Sequence, residues 1–237
     1  MATPTVVLVH GAFADASSFR TLIPELLADG IPVVAPANPN RSLSGDAAYI
    51  ASVVRQIEGD VILVGHSYGG AVITVAGVED NVRALVYLAG YALQEGESLG
   101  ELQGGFPDSP LATALVQGNY PLPDGTTGVE LSVDPAKVHD VFAQDLDTET
   151  TKVIAVSQRP LAAVAFGEPA SAAAWKTKPS WGIVSTSDHS INPDVERFGY
   201  QRAGATTVEI DSSHVVMLSH PKESADIIRE AIRATER

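Results

Sequence analysis

The sequence predicts an α/β protein, with a mostly parallel sheet of about six strands and helices on both faces. Two observations lead to this prediction. Short apolar runs rich in β-branched residues recur along the chain, and stretches of helical period follow them. The runs are apolar on both faces, which is typical of parallel strands that helices cover on both sides. Alternating strands and helices of this kind form parallel sheets with right-handed crossovers.

Six apolar runs are predicted strands, and they span residues 6–9, 31–35, 61–64, 84–88, 182–185 and 207–210. Between the second and third runs, Ile50, Val53, Val54 and Ile57 follow the spacing i, i+3, i+4, i+7. This spacing predicts a helix that turns one apolar stripe toward the sheet.

The C-terminal stretch "PKESADIIREAIRATER" predicts a closing helix. It starts with Pro221, carries a glutamate in its first turn and keeps Ala225, Ile228 and Ile232 on one side. We therefore expect a single domain over residues 1–237, built around the six-stranded sheet.

One interval, 89–181, is far longer than a crossover between neighbouring strands needs. It contains a polar loop, "YPLPDGTTG", and two helical candidates, 134–146 and 147–166, the first with Asp134 as cap and Pro135 as first helical residue. Its large apolar side chains exceed what a free loop carries, namely Phe106, Leu111, Leu115, Phe142, Ile154, Phe166 and Trp175. We expect a small helical cap at 96–178 whose underside forms an apolar pocket, although a satellite core would account for part of this set.

Composition narrows the choice of partners. The net charge of −14 and the pI near 4.7 argue against nucleic acid or an anionic membrane surface and favour a neutral small molecule. The absence of cysteine excludes disulfides, thiolate nucleophiles and cysteine metal sites. The N-terminal "MATPTVVLVHGAF" lacks a basic signal region, and no run reaches membrane-spanning length, so we expect a cytoplasmic protein. The sequence leaves open whether the chain forms a homodimer.

The stretch "VILVGHSYGGAV", 61–72, indicates a nucleophile. A buried strand precedes "GHSYGG" and a helix follows it, so Ser67 lies on a strained strand-to-helix turn within a G-x-S-x-G pattern. Glycines on both sides allow the strand and helix to approach closely, and the helix N-terminus stabilises negative charge near the serine. The alternative is a serine that only caps the following helix.

A serine nucleophile needs a base and an acid that orients the base. Of the six histidines, His214 follows the last predicted strand, and Asp188 follows the fifth. Both lie at the carboxyl edge of the sheet, where sites of such folds occur. His220 is a rival base, although it precedes the proline that starts the last helix, and His189 neighbours the proposed acid. Glu95 or Glu97, after the fourth strand, are alternative acids.

The mechanism also needs two N–H donors for an oxyanion. We expect one from Tyr68, directly after the nucleophile. The other comes from "HGAFAD" after the first strand, with Ala12 preferred over Phe13. By itself, "HG" after a strand also fits an ordinary turn with His10 buried in the core.

Together, "VLVHGAFADASSF", "VGHSYGG", "STSDHSINP" and "SSHVVMLSHP" resemble the α/β-hydrolase superfamily over nearly the whole chain. They look most like small bacterial hydrolases related to the plant methyl-esterase and hydroxynitrile-lyase group. The resemblance implies a catalytic triad, an oxyanion hole and a pocket under a helical cap, with no cofactor. The triad would be Ser67, Asp188 and His214, the oxyanion hole Ala12 and Tyr68, and the pocket residues Phe13, Phe142, Phe166 and Trp175.

Two positions discriminate chemistry within that group. The lyases that this chain resembles carry a lysine directly after the catalytic histidine and a threonine where this sequence has Gly11; here Val215 follows His214. Fold-related epoxide hydrolases and dehalogenases use a carboxylate nucleophile, which Ser67 excludes. We therefore expect a serine carboxylesterase that cleaves small, largely apolar esters. The alternatives are a small-molecule receptor on the same fold, or lactonase, perhydrolase or lyase chemistry on the same triad.

Overall fold

The computed structural model describes residues 3–236, and its elements follow the predicted alternation of strands and helices. The strands are β1 (Thr5–Val9), β2 (Val33–Val34), β3 (Val61–His66), β4 (Val82–Leu88), β5 (Leu115–Pro121), β6 (Thr127–Val133), β7 (Leu161–Ala162), β8 (Ser180–Ser185) and β9 (Thr206–Ile210). The α-helices are α1 (Leu22–Ala28), α2 (Leu43–Arg55), α3 (Tyr68–Ala76), α4 (Leu99–Gly104), α5 (Val138–Phe142), α6 (Thr148–Val156), α7 (Val164–Gly167), α8 (Pro193–Ala203), α9 (Val216–Ser219) and α10 (Pro221–Thr235).

The central sheet has six strands in the order β2-β1-β3-β4-β8-β9, and each neighbouring pair is parallel. This confirms the predicted α/β-hydrolase sheet. From β1 the chain first adds β2 on one side and later adds β3 on the other, so the strand order reverses between β1 and β3. In open parallel sheets, ligands bind at the carboxyl edge beside such a reversal.

Helices cover both faces of the sheet. On one face α2 packs on α3, which crosses β1, β3 and β4; on the other, α10 packs on α1 and crosses β3, β4 and β8. Ala225 and Ile228 of α10 are fully buried, which confirms the predicted stripe of the closing helix. Of the stripe predicted before β3, Ile50 and Val54 are fully buried on α2, whereas Val53 is half-buried and Ile57 follows the end of the helix. Strands β3 and β4 lie at the centre of the core.

The insertion between β4 and β8 contains helices α4 to α7 and also a three-stranded antiparallel sheet, β5-β6-β7, that the sequence analysis did not predict. The predicted polar loop "YPLPDGTTG" is in fact the tip of the β5–β6 hairpin. Its turn closes through the N–H of Leu122, which donates to the carbonyl of Thr126 at 2.9 Å, and Gly125 adopts a positive φ of 83° there. The limits 96–178 and the role of this segment as a cap stay predictions.

The two helical candidates of the insertion are shorter than predicted. Asp134 does not cap a helix: its side chain accepts the N–H of Ala136 and its carbonyl accepts that of Lys137, so a turn forms and α5 begins only at Val138. The second candidate ends as a helix at Val156, because Leu161 pairs with β6 as part of β7. Both helices are therefore shortened next to β6: the turn at Asp134 directly follows this strand, and Leu161 pairs with it.

Among the helices within residues 3–236, none combines the length and the apolar character that crossing a membrane requires.

Candidate active site

Ser67 lies at the junction of β3 and α3 in a conformation that L-residues rarely adopt. Its φ is 56° and its ψ is −125°. Such a backbone costs about 1–3 kcal/mol and persists only where its surroundings hold it. Here the N–H of Ser67 donates to the carbonyl of Leu88 at 3.2 Å, and the carbonyl of Ser67 accepts N–H bonds from Gly70 and Tyr91. The local sequence and the end of β4 therefore hold the strained turn together.

The turn needs glycine because α3 lies against β1. A Cβ on Gly69 would overlap the carbonyl oxygen of Val9, so any larger residue would push the helix off the sheet. In the described chain, the side chain of Ser67 makes no capping hydrogen bond to α3. The alternative in which Ser67 only caps the helix thus lacks its defining contact.

The structure brings Asp188 and His214 into direct contact at the carboxyl ends of β8 and β9. Nδ1 of His214 donates to Oδ2 of Asp188 at 2.6 Å, and both side chains are buried. Oδ1 of Asp188 accepts the N–H groups of Ser190 at 2.6 Å and Ile191 at 3.0 Å. These bonds fix the carboxylate, which in turn directs Nε2 of His214 away from itself. Ser67 and His214 line the same cavity.

The rival acids and bases have other partners. Glu95 pairs with Lys176 at 3.1 Å, and Glu97 pairs with Arg202 at 2.7 Å. His220 contacts Ser219 at the start of α10, and Nδ1 of His189 contacts the carbonyl of Asp140. None of these four groups is among the described residues that line the cavity of Ser67.

Two backbone N–H groups beside Ser67 have no protein acceptor among the described residues. Tyr68 is the first residue of α3, where an N–H has no intrahelical partner, and the N–H of Ala12 makes no backbone hydrogen bond. By contrast, the N–H of Phe13 donates to the carbonyl of Arg159 at 2.9 Å. Of the two candidates in the loop after β1, Ala12 therefore keeps a donor and Phe13 does not.

The cavity at the carboxyl edge of the sheet has a volume of about 260 Å³. The first loop, the end of β4, the insertion and α8 line it. The predicted residues Phe13, Phe142 and Phe166 are among the lining residues, but Trp175 is not. The indole N–H of Trp175 donates to the carbonyl of Leu93 at 2.8 Å, and the ring packs against the hydrophobic core. The prediction of Trp175 as a pocket residue is therefore wrong.

Phe142 connects the insertion with the predicted base. Its ring, which is 2% exposed, packs edge-on against His214 with the centroids 5.1 Å apart. It also lies 6.4 Å from the ring of Phe13 and 6.5 Å from that of His66. One side chain of α5 thus covers the histidine and closes one wall of the cavity.

Two further histidines support the site as neutral, buried groups. His66 contacts the carbonyl of His214 through Nε2 at 2.9 Å, and burial, followed by the nearby His214, lowers the pKa of His66 well below its usual 6.5. His10 accepts the N–H of Asn38 at 2.9 Å, and burial lowers its pKa as well. His10 is thus a satisfied core residue that shapes the loop carrying Ala12.

The ring of Tyr68 is fixed from the opposite side. Its hydroxyl donates to Oδ2 of Asp46 at 2.8 Å, and Asp46 also accepts the N–H of Arg41. Burial, together with the negative charge of Asp46, raises the pKa of Tyr68 well above its usual value, so the phenol stays a donor. This bond anchors the first turn of α3, whose N–H groups face the site.

Sequence reasoning missed Tyr91 and Glu196. Tyr91 lines the cavity and its N–H donates to Ser67 at 3.2 Å; the available signal was its position just after a buried strand at the carboxyl edge. Glu196, on α8, is buried near Asp188. It shares a helical stripe with Gly199 and Tyr200, which would have predicted an inward-facing acid.

No group of three or more histidine and carboxylate side chains within residues 3–236 is arranged to hold a metal ion.

Comparisons with known proteins agree with this architecture. A probable hydrolase, R7, of Phoma sp. is 29% identical over 252 residues, which cover 97% of this chain and 98% of that protein. A carbendazim hydrolyzing esterase of Nocardioides sp. is 38% identical over 109 residues, which cover 39% of this chain and 44% of that protein. The structure of the methylesterase MES16 from Arabidopsis superposes with a TM-score of 0.79 at 19% identity, covering 98% of this chain and 99% of that one.

The likeness to the methylesterase structure shows a shared fold. The sequence matches the alpha/beta hydrolase family over residues 6–227, which is most of the chain. The chain therefore belongs to the alpha/beta hydrolase family and is an enzyme of the hydrolase class.

Proposed function

We propose that this protein is a serine carboxylesterase that cleaves small, largely apolar esters through an acyl-enzyme on Ser67. The observation that carries the proposal is the strained Ser67, which lines one cavity together with His214, whose Nδ1 contacts the buried Asp188. A nucleophile on such a turn, a base, and an acid that orients the base are the parts that serine hydrolysis requires.

In the acylation step, Oγ of Ser67 attacks the ester carbonyl while Nε2 of His214 accepts the hydroxyl proton. Asp188, bonded to Nδ1 of His214 at 2.6 Å, holds the neutral tautomer that can accept this proton and then stabilises the imidazolium. The N–H groups of Ala12 and Tyr68 donate to the oxyanion of the tetrahedral intermediate. His214 then gives its proton to the leaving alcohol as the C–O bond breaks.

In the deacylation step, water takes the place of the alcohol. His214 removes a proton from the water, which attacks the acyl carbonyl, and the same two N–H groups stabilise the second oxyanion. The proton returns to Oγ of Ser67 as the acid is released. Each cycle therefore converts one ester and one water into an acid and an alcohol.

The lining of the cavity favours neutral esters. No lysine or arginine contributes to it among the described residues, and the exposed Asp108 is the one acidic residue among those that line it. Val215, which follows His214, is buried and apolar. A cyanide leaving group would find no lysine or arginine among the described lining residues to stabilise it, which favours ester hydrolysis over the lyase alternative.

The test of this function compares Ser67→Ala with Ser224→Ala. Ser224 is a matched control, because it is fully buried on α10 and its hydroxyl has no hydrogen-bond partner among the described residues. On short p-nitrophenyl esters, Ser67→Ala should lower kcat by about a millionfold, whereas Ser224→Ala should keep the wild-type rate. Retention of wild-type hydrolysis by Ser67→Ala would contradict the mechanism.

A fluorophosphonate probe separates an esterase from a small-molecule receptor on the same fold. We expect covalent labelling of Ser67, with none in Ser67→Ala, since the probe needs an activated serine but no knowledge of the natural substrate. A wild-type chain that stays unlabelled would favour the receptor. Product analysis on a panel of esters and lactones distinguishes ester hydrolysis from lactone opening, perhydrolysis and lyase chemistry.

A further inference from the structure

Glu196 is an acid in the core that the proposed mechanism does not use. It lies on α8 and is 1% exposed. Its Oε2 accepts the N–H of Ser185 at 3.0 Å, whereas its Oε1 is buried and has no hydrogen-bond partner among the described residues. A buried carboxylate oxygen without a donor is costly, so the observation requires an explanation.

Glu196 and Asp188 are held close together through Ser185: Oε2 of Glu196 accepts the N–H of Ser185 at 3.0 Å, and the N–H of Asp188 donates to the carbonyl of Ser185 at 3.2 Å. Both acids are buried. Two carboxyl groups this close in a low-dielectric interior do not both ionise, because the like charges repel each other. A hydrogen bond between them also requires that one of them carries a proton, since an ionised carboxylate only accepts.

The hydrogen-bond donors decide which group is ionised. Asp188 receives three N–H bonds, from Ser190, Ile191 and the ring of His214. Glu196 receives one, from Ser185. Donors stabilise the charged form of an acid, so Asp188 is the anion and the proton stays on Glu196. A proton on Glu196 also gives its carboxyl a donor that can bond to Asp188.

The other polar groups around Glu196 do not reverse this assignment. Arg197 follows it in sequence, but its guanidinium is bonded to Asp194 and Glu209 at the surface. Tyr91 and Tyr200 also face this pair of acids, and burial raises the pKa of both phenols, so they are neutral. Burial, and after it the charge of Asp188, raises the pKa of Glu196 well above its usual value.

We propose that Glu196 is a positioning residue for the reaction: its neutral carboxyl donates a hydrogen bond to Asp188 and thereby holds the acid that orients His214. This inference rests on the proposed esterase function. Glu196 does not line the cavity among the described residues, so it acts through Asp188 and not on the substrate.

The experiment compares Glu196→Gln with Glu196→Leu. Glutamine keeps an acceptor for the N–H of Ser185 and a donor for Asp188, whereas leucine removes both. We expect Glu196→Gln to retain kcat within about twofold, and Glu196→Leu to lower kcat and the rate of fluorophosphonate labelling of Ser67 about tenfold, with KM little changed. If the wild type, Glu196→Gln and Glu196→Leu all had the same kcat and the same labelling rate, the positioning role would be overturned.

A second measurement tests the proton directly and needs no activity. Above the usual glutamate pKa of 4.5, folded Glu196 keeps a proton that the unfolded chain releases, so wild-type stability falls as pH rises. Glu196→Gln lacks this pH-dependent change in stability, because glutamine does not titrate. The Tm of Glu196→Gln minus that of wild type should therefore rise by about 3–5 °C per pH unit, until Glu196 ionises in the folded chain. Infrared spectra of the wild type should show a protonated carboxyl near neutral pH that Glu196→Gln lacks.

These readouts separate failure of this inference from failure of the proposed function. If the wild type hydrolyses esters and labels at Ser67 while the Tm difference stays constant with pH, the neutral Glu196 is wrong and the esterase stands. If the wild type neither hydrolyses nor labels, the esterase fails, and the Tm difference still decides whether Glu196 carries a proton. Since Glu196→Gln preserves both hydrogen bonds, the measurement does not depend on the folding of the leucine variant.

Discussion

The edge of the Phe142 ring packs against the ring of His214, with the two centroids 5.1 Å apart and the planes 63° from each other. Phe142 belongs to α5 in the insertion, whereas His214 follows β9 of the central sheet. The insertion therefore does more than line the cavity. It also restricts the orientation of the side chain that we propose as the base.

This contact predicts a combined loss of stability and rate in Phe142→Ala. Removal of a buried phenylalanine should lower the free energy of unfolding by about 3–5 kcal/mol, and kcat should fall because His214 gains rotational freedom. Phe198→Ala is the matched control, since Phe198 is 45% exposed and lies outside the cavity lining. Denaturant unfolding and ester kinetics measure both effects. A Phe142→Ala chain with wild-type kcat would show that the ring packing does not orient the base.

The contact between Asp188 and His214 predicts a rate loss without a binding loss. An amide in Asp188→Asn does not stabilise the required tautomer of His214, so kcat should fall by about 10³–10⁴-fold with KM nearly constant. Glu95→Gln tests the rival acid; because Glu95 pairs with Lys176 at the surface, this variant should keep wild-type kinetics. The reverse pattern, with a large loss only in Glu95→Gln, would assign the acid to Glu95.

The cavity walls predict different outcomes for two aromatic residues of the insertion. Phe166 lines the cavity, so Phe166→Ala should raise KM about tenfold for esters with a bulky apolar group. Trp175 lies outside the lining, so Trp175→Phe should leave KM unchanged. It should lower the free energy of unfolding by about 1 kcal/mol, since the bond to Leu93 is lost. A change of KM in Trp175→Phe would instead indicate that Trp175 contacts the substrate.

The buried His66 predicts a pH-dependent difference in stability. Its pKa lies well below 6.5 in the folded chain, so as pH falls below that value the unfolded chain takes up a proton that the folded chain does not. Wild type therefore loses about 1.4 kcal/mol of unfolding free energy per pH unit from this residue. His66→Gln does not titrate. Relative to wild type, the free energy of unfolding of His66→Gln should therefore rise by that amount per pH unit below 6.5. If the two free energies instead change in parallel with pH, His66 titrates normally in the folded chain.

The strands, the helical stripes and the turn around Ser67 could be predicted because each depends on residues close in sequence. Strand β3, "GHSYGG" and α3 are contiguous, and the glycine at 69 is needed where helix and strand meet. The hairpin of β5 and β6 could not be predicted in the same way. Strand β5 is largely exposed and β6 is mostly half-buried, so neither has the apolar pattern of a core strand. The two strands pair with each other, and β6 also pairs with β7, about 30 residues further along the chain.

Whether a side chain points toward the core or toward the cavity could not be predicted from the sequence either. Trp175 and Phe166 are both aromatic residues of the insertion, yet one packs on the core and the other lines the cavity. Glu196 is of a residue type usually found at the surface, and the packing of α8 on β8 buries it near Asp188. Composition and spacing record which residues are present, whereas direction depends on the elements packed on each side.

The parallel sheet and the strained turn at Ser67 follow from local sequence, because periodicity and turn chemistry depend on residues close together in the chain. The contact of His214 with Asp188, the bond from the N–H of Phe13 to the carbonyl of Arg159 and the packing of Trp175 on the core exist only in the folded chain. These contacts join residues far apart in sequence. Their geometry arises only when the sheet brings its strand ends to one edge and the insertion packs over them.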